Sequence, residues 1–413
     1  MYTPSDEILQ KYSHVLVNFA LWSWIWVKNG QVVYIQIPQS AEAFLPFLYE
    51  AVLWAWCHPI VDLVPTYLQK VFYDKASDEQ LNRIPTETLL WRLQDIDHKI
   101  CIISHEDKYL LEEISPDKIL IRETAFKHIK KSLIEKEVNG EFTWTMWLYG
   151  TESMAQEAGI TIETYREQII EACFLNDENP INKRKETYES LDMIMNHLNS
   201  LSVDYLQVIG QDVDLKIWIG KHRKRLTWSG RNMPSFEVFI SPDCRITEGW
   251  IRCNQPLYIQ WKMLTGIELK FLNGLLVDSR ATQHEDVLSE IVAIWWMNKI
   301  WEFSLTDARL SKITKFMWET LYDENMWGEY GNTHIALWDS FKQSYPWDPN
   351  SVNQNQWDDR WYNESSLHID LVSTSDRTVV ATMTDWSQQI VYQHGRFTFF
   401  DIPEIDDIDS DLE

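Results

Sequence analysis

Two polar residues interrupt an apolar run in Leu367-His368-Ile369-Asp370-Leu371-Val372, towards the C-terminal end of the chain. Alternate side chains of a β-strand point to the same face, so a strand here places His368 and Asp370 on a face that would otherwise be core. A buried imidazole beside a buried carboxylate is costly unless the two are paired or bind a metal ion. The pair suits zinc, cobalt or manganese, although the spacing alone is more typical of a hydrogen-bonded pair at a surface.

Other segments that carry acidic residues or histidine precede this run. They are Gly230-Arg231-Asn232-Met233-Pro234-Ser235-Phe236-Glu237-Val238-Phe239, Trp301-Glu302-Phe303-Ser304-Leu305-Thr306, and Leu321-Tyr322-Asp323-Glu324-Asn325 followed by Gly331-Asn332-Thr333-His334-Ile335-Ala336-Leu337. With Asn363–Asp370 they resemble, in order, the ligand segments of the thermophilic metallo-aminopeptidases. This is the peptidase M29 family, of the aminopeptidase T and aminopeptidase S type. The resemblance is close over the C-terminal half of the chain and looser over the N-terminal half.

The resemblance implies a dinuclear metal site and an activity. Two divalent ions, which could be zinc, cobalt, manganese or magnesium, would be held by five residues: Glu237, Glu302, His334, His368 and Asp370. Glu302 would either bridge the ions or act as the general base, and the sequence does not choose between these roles. The expected function is a metal-dependent aminopeptidase that removes the N-terminal residue from short peptides. The resemblance also implies a homodimer with the active site in an internal cavity.

One position departs from the family pattern. Phe341 stands where the family carries a tyrosine thought to assist the transition state, and Tyr345 follows four residues later. Phenylalanine has no hydroxyl group to donate, so a catalytically silent homologue that acts as a structural or peptide-binding protein is the alternative function. A nucleotide- or sugar-binding α/β protein is a third possibility on fold analogy, but no Gly-x-Gly-x-x-Gly motif follows a predicted strand.

Length and composition limit the class of protein. A chain of 413 residues predicts two domains, and its formal charge of −25 argues against a nucleic-acid partner, whose phosphates it would repel. Five scattered cysteines without a Cys-x-x-Cys motif predict reduced thiols in the cytoplasm. The N-terminus lacks the features of a signal peptide, and the apolar run 19–27 is too short to span a bilayer, so we expect no membrane association.

The order of predicted elements gives the fold class. Residues 1–200 alternate strand-like and helix-like segments, such as Gln31–Ile37, Ala41–Leu53 and Lys99–Ser104, which predicts an N-terminal α/β sheet domain. Residues 201–400 predict a mixed α+β, strand-rich catalytic domain that binds the metal ions, with a boundary near Leu201. Residues 401–413 form an acidic tail.

The second predicted domain contains several strands and one long helix. The predicted segments are the strands Leu215–Ile219, Glu237–Ile240, Leu257–Trp261, Thr378–Met383 and Gln389–Tyr392, a hairpin at Asn273-Gly274, and a helix over Asp286–Ile300.

Tryptophan is in excess and glycine is scarce. The chain has 22 Trp and 13 Gly, whereas ordinary usage of about 7% glycine would give roughly 29 residues. Asp385-Trp386 lies between two predicted strands, where Asp-Gly would form a type I′ hairpin turn. The resemblance also places glycine at Trp22, Trp24, Trp56, Trp301, Trp327, Trp338 and Trp347, and indoles at 301 and 338 would crowd the metal ions. One hypothesis is that UGA codons for glycine were translated as tryptophan, and the alternative is a Trp-rich divergent homologue.

Overall fold

The computed structural model describes residues 4–22, 27–227, 230–259, 262–293, 298–326, 328–337, 340–362 and 368–399. It divides into two compact units. The first contains Met1–Arg184, Ser229–Ser235 and Phe316–Leu321, and the second contains Lys185–Trp228, Phe236–Lys315 and Tyr322–Glu413. The division falls near the start of the helix Pro180–Ser200, and the predicted boundary near Leu201 comes at the end of that helix. The predicted acidic tail lies outside the described residues.

The first unit contains a parallel sheet of four strands. These are β1 (Val32–Pro38), β2 (His58–Val64), β3 (His98–Ile103) and β4 (Thr143–Leu148), arranged in the order β2-β1-β3-β4. All three pairings are parallel. Parallel neighbours need crossover connections, and helices lie in each connection along the chain. This is the α/β arrangement that the sequence predicts.

The helices of the first unit begin and end at recognisable signals. Helix α1 spans Asp6–Asn18, and the hydroxyl of Ser5 caps it by accepting a hydrogen bond from the Ile8 amide. The predicted helix over Ala41–Leu53 is instead a 3-10 segment, Gln39–Phe44, followed by α2, because Pro46 lies in the first turn of α2. The remaining helices are α2 (Leu45–Trp54), α3 (Tyr67–Lys75), α4 (Asp78–Asn82), α5 (Thr86–Gln94), α6 (Pro116–Val138), α7 (Glu152–Glu157), α8 (Ile162–Ala172) and α9 (Pro180–Ser200), which continues into the second unit.

The second unit is built mainly from antiparallel strands. They are β5 (Val203–Gly210), β6 (Val213–Trp218), β7 (Leu226–Thr227), β8 (Glu237–Ile240), β9 (Glu248–Cys253), β10 (Leu257–Ile259), β11 (Lys262–Leu264), β12 (Ile267–Leu272), β13 (Leu275–Arg280), β14 (Ile300–Thr306), β15 (Asn332–Leu337), β16 (Ile369–Ser373), β17 (Arg377–Met383), β18 (Gln388–Gln393) and β19 (Arg396–Phe397). The short helices are α10 (Glu285–Val292), α11 (Thr320–Asp323), which begins in the first unit, and α12 (Gln354–Asp359).

These strands form two large sheets and one hairpin. One sheet has the order β13-β12-β9-β6-β5-β17-β18-β19, the other has the order β16-β15-β14-β8-β7, and β10 pairs with β11. Every residue of β14, β15 and β16 is buried, so both faces of the smaller sheet are covered at these strands. The smaller sheet is therefore the core element of the second unit.

The predicted strands agree with the observed elements more closely than the predicted helix does. Glu237–Ile240 is β8 as predicted, and β6, β17 and β18 contain or closely overlap their predictions. The helix predicted over Asp286–Ile300 is wrong in its second half, because α10 ends at Val292 and β14 begins at Ile300. Residues 260 and 261, at the end of the predicted strand Leu257–Trp261, lie outside the described residues. Within the described part of the chain, no helix combines the length and apolar character that a bilayer span requires.

A buried arginine connects the two sheets of the second unit. Arg377, the first residue of β17, donates hydrogen bonds to Asp212 in the β5–β6 turn, to the Thr333 hydroxyl on β15 and to the Arg252 carbonyl on β9. Its side chain is fully buried, so these bonds replace the water that the guanidinium loses.

We expect Arg377→Met to reduce the free energy of unfolding by about 3–5 kcal/mol, because it leaves the Asp212 carboxylate without its charged partner. Urea denaturation monitored by fluorescence measures this change. Arg280→Met is the matched control, since Arg280 pairs with Asp278 at the surface, where 67% of its side chain is exposed. Equal effects of the two substitutions would contradict a structural role for the Arg377 contacts.

Candidate metal centre

The five predicted ligands are brought to one sheet. Glu237 begins β8, Glu302 lies on β14, His334 on β15 and Asp370 on β16, and His368 immediately precedes β16. These four strands are consecutive neighbours in the smaller sheet. The structure thus collects ligand candidates that are separated by more than a hundred residues along the chain.

The strand register places these residues on one face. His334 is paired with Ser304, which is two residues from Glu302 on β14. Thr306 is paired with Glu237, and Ala336, two residues from His334, is paired with Asp370. Paired residues and residues two apart share a face of a sheet. The strand ligands therefore point to the same side. His368 precedes β16 and its side chain is 31% exposed, so the buried strand position predicted for it is wrong.

The carboxylate of Glu302 lies between the two histidines. Its Oε1 is 3.6 Å from His334 Nε2, and its Oε2 is 3.1 Å from His368 Nε2. His334 Nε2 is also 3.2 Å from Glu237 Oε2, and His368 Nε2 is 2.9 Å from Asp370 Oδ1. Two groups of three possible ligands result, Glu237/Glu302/His334 and Glu302/His368/Asp370, in each of which the ligand atoms lie within 4.8 Å of one another. Glu302 belongs to both groups.

The donor atoms are incompletely satisfied by the protein. Glu302 Oε2, Asp370 Oδ1 and His334 Nδ1 are buried, and none of them makes a hydrogen bond of ordinary geometry to a described residue. His368 Nε2 lies close to both of these carboxylate oxygens, but the contacts are poorly directed for hydrogen bonding. Buried carboxylate oxygens normally have a partner. The residues present therefore fit divalent cations, which would be coordinated by these oxygens and imidazole nitrogens.

The electrostatics of the site favour positive charge. Burial raises the pKa of Glu302, but the nearby imidazoles of His334 and His368 outweigh burial and bring it to about 2. Burial lowers the pKa of His334, but Glu237 and Glu302 raise it by more than burial lowers it. The pKa of His334 therefore lies well above its usual range. The pKa of His368 is likewise held high against burial by Asp370 and Glu302. Without a metal ion, protons on the imidazoles supply the charge that these carboxylates require.

Glu324 is a member of the site that the sequence analysis does not single out. It follows α11 in the segment Leu321–Asn325, and it is buried. Burial raises the pKa of its carboxyl group well above the usual range, and the neighbouring Glu237 and Asp370 raise it further. The only signal in the sequence is the resemblance of its segment to the third ligand segment, because an irregular segment has no periodicity that would place a side chain.

Hydrogen bonds from uncharged residues orient the acidic ones. The Ser304 hydroxyl donates to Glu237 Oε2 at 2.6 Å. The Asn325 side chain accepts from the Phe236 amide at 2.6 Å and donates to Glu324 Oε1 at 3.3 Å. These bonds connect the start of β8 to the segment that carries Glu324. Such contacts fix the orientation of ligand carboxylates.

Phe341 lies against the site, whereas Tyr345 packs elsewhere. The Phe341 ring meets the His368 ring edge to face at 5.7 Å between centroids, and it also contacts Phe239 at 4.9 Å. The Tyr345 ring belongs to an aromatic cluster with Trp347, Trp357 and Tyr362. A ring without a hydroxyl group is therefore what borders His368.

Comparisons with known proteins identify the family and a related fold. The model of the thermophilic metalloprotease family M29 matches residues 5–397. Aminopeptidase AmpS of Bacillus subtilis is 24% identical over 249 residues, which cover 56% of this chain and 58% of that protein. Aminopeptidase PepS of Streptococcus thermophilus is 23% identical over 422 residues, which cover 94% of this chain and 97% of that protein.

A solved structure shares the fold. The structure of wild-type AmpT from Thermus thermophilus matches with a TM-score of 0.81 at 20% identity, over 95% of this chain and 99% of that one. The likeness confirms the predicted α/β class, with a parallel sheet in one unit and antiparallel sheets in the other. The family match over nearly the whole chain confirms the resemblance to this family, and the chain belongs to the M29 family of thermophilic metalloproteases.

Proposed function

We propose that the protein is a metal-dependent aminopeptidase with two divalent ions, held by Glu237, Glu302 and His334 on one side and by Glu302, His368 and Asp370 on the other. The observation that carries the proposal is the position of Glu302, whose two carboxylate oxygens face different histidines. Relatives that are named aminopeptidases support the choice of reaction.

The charge of the site supports two ions rather than one. Glu237, Glu302 and Asp370 carry three negative charges when ionised, and neutral histidines add none. Glu324, whose pKa burial raises well above its usual range, adds a fourth charge when bound cations displace its proton. Two divalent cations balance this charge, whereas one leaves a buried excess of negative charge. Oxygen and nitrogen ligands suit zinc, cobalt, manganese or magnesium. We include Glu324 as a further carboxylate of the centre.

The roles of the residues follow from their geometry. Ions bound at this site would lower the pKa of a bound water and polarise the scissile carbonyl. Glu302 is the bridging ligand in this proposal, because its two carboxylate oxygens face different histidines and it belongs to both ligand groups. The carboxylates that surround the centre provide an anionic surface for the free α-amine of a peptide, which is the feature that distinguishes an exopeptidase substrate.

The other expectations for the protein stay predictions. These are short peptides as substrates, a homodimer, an internal active-site cavity and a cytoplasmic location. A catalytically silent homologue is the second candidate function, and the observation that favours it is the Phe341 ring beside His368.

The metal content of the protein and its variants tests the proposed ligands. We expect about two divalent ions per chain by elemental analysis, and none retained after Glu302→Gln, because this change removes a ligand from both groups. Glu237→Gln should retain the ion of the other group. Hydrolysis of leucyl- and methionyl-peptides should fall by about 10³-fold or more, both for Glu302→Gln and after treatment with a chelator, because both remove the ions.

Glu268→Gln is the matched control for these variants, because Glu268 makes an ion pair with Arg252 outside the site. Its metal content and activity should equal those of the unmodified protein. Retention of two ions by Glu302→Gln would end the bridging assignment.

The pH dependence of the metal-free protein follows from the histidines. His334 and His368 have folded-state pKa values above the ordinary 6.5, so their contribution to stability is complete below that pH and is lost as the pH rises through the folded values. Glu302 acts in the opposite sense: its contribution is present above the ordinary 4.5 and is lost as the pH falls towards about 2. The melting temperature of chelator-treated protein should therefore fall as the pH rises above the ordinary histidine pKa of 6.5.

The metal-loaded protein is the comparison, since bound imidazoles carry no proton to lose over this range. The gap in melting temperature between the loaded and metal-free proteins should widen as the pH rises. A gap that narrows instead would show that protons and cations do not compete for these residues.

The role of position 341 can be separated from that of Tyr345. We expect Phe341→Tyr to raise kcat by about 10²- to 10³-fold with KM and metal content nearly unchanged, because it adds a hydroxyl donor beside the centre. Steady-state kinetics with one peptide substrate measures this. Tyr345→Phe should change little, since Tyr345 packs among aromatic residues. Loss of turnover in Tyr345→Phe would instead assign the donor role to Tyr345.

A further inference from the structure

Several tryptophans occupy a backbone conformation that suits glycine. Eight non-glycine residues in the described ranges have positive φ, and four of them are tryptophan. They are Trp56, Trp318, Trp361 and Trp386, with φ of 58°, 54°, 55° and 69°. The left-handed region brings Cβ too close to the following carbonyl oxygen, and a bulky residue there is a genuine outlier.

Two of these residues end helices in the same way. The Trp56 amide donates to the Leu53 carbonyl after α2, and the next amide, that of Cys57, donates to the Val52 carbonyl. After α12, the amides of Trp361 and Tyr362 make the equivalent bonds to Asp358 and Trp357. This pair of bonds defines the Schellman motif, in which the residue with positive φ is usually glycine.

The chain places glycine in the same motif at two other helix ends. Gly140, with φ of 73°, donates to Glu137, and Glu141 donates to Lys136 after α6. Gly159, with φ of 69°, donates to Gln156, and Ile160 donates to Ala155 after α7. The geometry at Trp56 and Trp361 is therefore one for which this chain itself uses glycine.

Trp386 occupies the glycine position of a hairpin. The Met383 amide donates to the Ser387 carbonyl, which leaves a three-residue loop between β17 and β18. The type I′ turn predicted at Asp385-Trp386 is wrong, because only Trp386 has positive φ. Three-residue hairpin loops place a left-handed residue, typically glycine, at this last position.

Two of these indoles, those of Trp56 and Trp386, gain little burial that would offset the strain, whereas the Trp361 ring contacts Arg245 and Lys299. Trp56 is 74% exposed, Trp386 is 77% exposed and Trp361 is 38% exposed. Phe174 ends α8 in the same motif with φ of 55°, but its ring is buried, with 6% exposed. A large side chain at positive φ is thus offset by packing at Phe174 and is not offset at Trp56 or Trp386.

We propose that the natural protein carries glycine at positions 56, 361 and 386, and that these tryptophans result from UGA codons translated as tryptophan in place of glycine. If UGA encodes glycine in the source organism but was translated as tryptophan, then tryptophan appears repeatedly at positions whose backbone conformation requires glycine. The same translation also explains the chain's 22 Trp and 13 Gly. Trp318 also has a positive φ, so we include position 318 among the proposed glycine positions.

The backbone observations revise the set of affected positions. Trp361 and Trp318 are added by their φ values, and Trp22, Trp301 and Trp347 are not among the residues with positive φ. Positions 24, 327 and 338 lie outside the described residues. Trp301 is buried and lies at a bulge between Ile300 and Glu302. Whether its indole would crowd bound metal ions stays a prediction.

Position 361 lies in the segment of chain between His334 and His368. The Arg223 guanidinium donates to the carbonyls of Arg360 and Trp361 at 2.8 and 3.1 Å, which fixes the backbone at this helix end. Glycine retains both carbonyls and removes the strained Cβ. Activity should therefore be measured on protein with glycine at these positions.

The codons of the gene test the proposal directly. UGA is expected at positions 56, 361 and 386, and UGG is expected at Trp147 and Trp357, which are buried and lack positive φ. Peptide mass spectrometry of the protein purified from its source should show glycine at the first three positions and tryptophan at the other two. UGG codons or tryptophan-containing peptides at the three positions would overturn the proposal.

Stability provides an independent measurement on recombinant protein. The triple variant Trp56→Gly, Trp361→Gly, Trp386→Gly should melt about 5 °C or more above the tryptophan form, because it relieves three left-handed positions. Trp147→Gly and Phe174→Gly are the controls and should melt at lower temperature, since each removes a buried ring. A triple variant that melts below the tryptophan form would also overturn the proposal.

Discussion

The contact on which the second unit depends is the shared carboxylate of Glu302, which faces His334 with one oxygen and His368 with the other. This contact exists only for one register of the smaller sheet, in which Ser304 lies opposite His334 and Ala336 lies opposite Asp370. A slip of one residue would turn the ligands of a strand to the opposite face. Because β14, β15 and β16 are buried throughout, apolar alternation cannot fix that register by itself. The ligand set and the sheet therefore specify each other.

The sequence predicts part of this site from local rules and part only from resemblance. Strand periodicity, which is a local property, predicts a shared face for His368 and Asp370, but β16 begins at Ile369 and His368 lies just before it. The meeting of Glu237, Glu302 and His334 depends on pairing between distant strands, which periodicity does not encode, so only the family resemblance could propose it. Glu324 was missed because it lies in an irregular segment, where neither helical nor strand spacing predicts the direction of a side chain.

The errors in the predicted fold have similar causes. The apolar pattern from Asp286 to Ile300 contains α10 and the start of β14, and a short apolar run does not distinguish a buried strand from a helix. The turn at Asp385-Trp386 has a three-residue loop, whereas dipeptide signals describe two-residue loops. The α/β class of the first unit is predicted correctly because its strands are separated by helical segments, and that alternation is visible in the sequence.

Because of the charge of the centre, metal binding does not by itself show that the protein is an active enzyme. Four carboxylates buried at one site require compensation by protons or cations, whatever the protein does with a substrate. Retention of the ligands is therefore expected both for an enzyme and for a homologue whose metal ions serve stability alone, because metal binding that accompanies folding contributes to it. Phe341 does not change this balance, since it removes no ligand and adds no charge. The two functions differ only in what happens to a bound peptide, so turnover, and not metal content, separates an aminopeptidase from a silent relative.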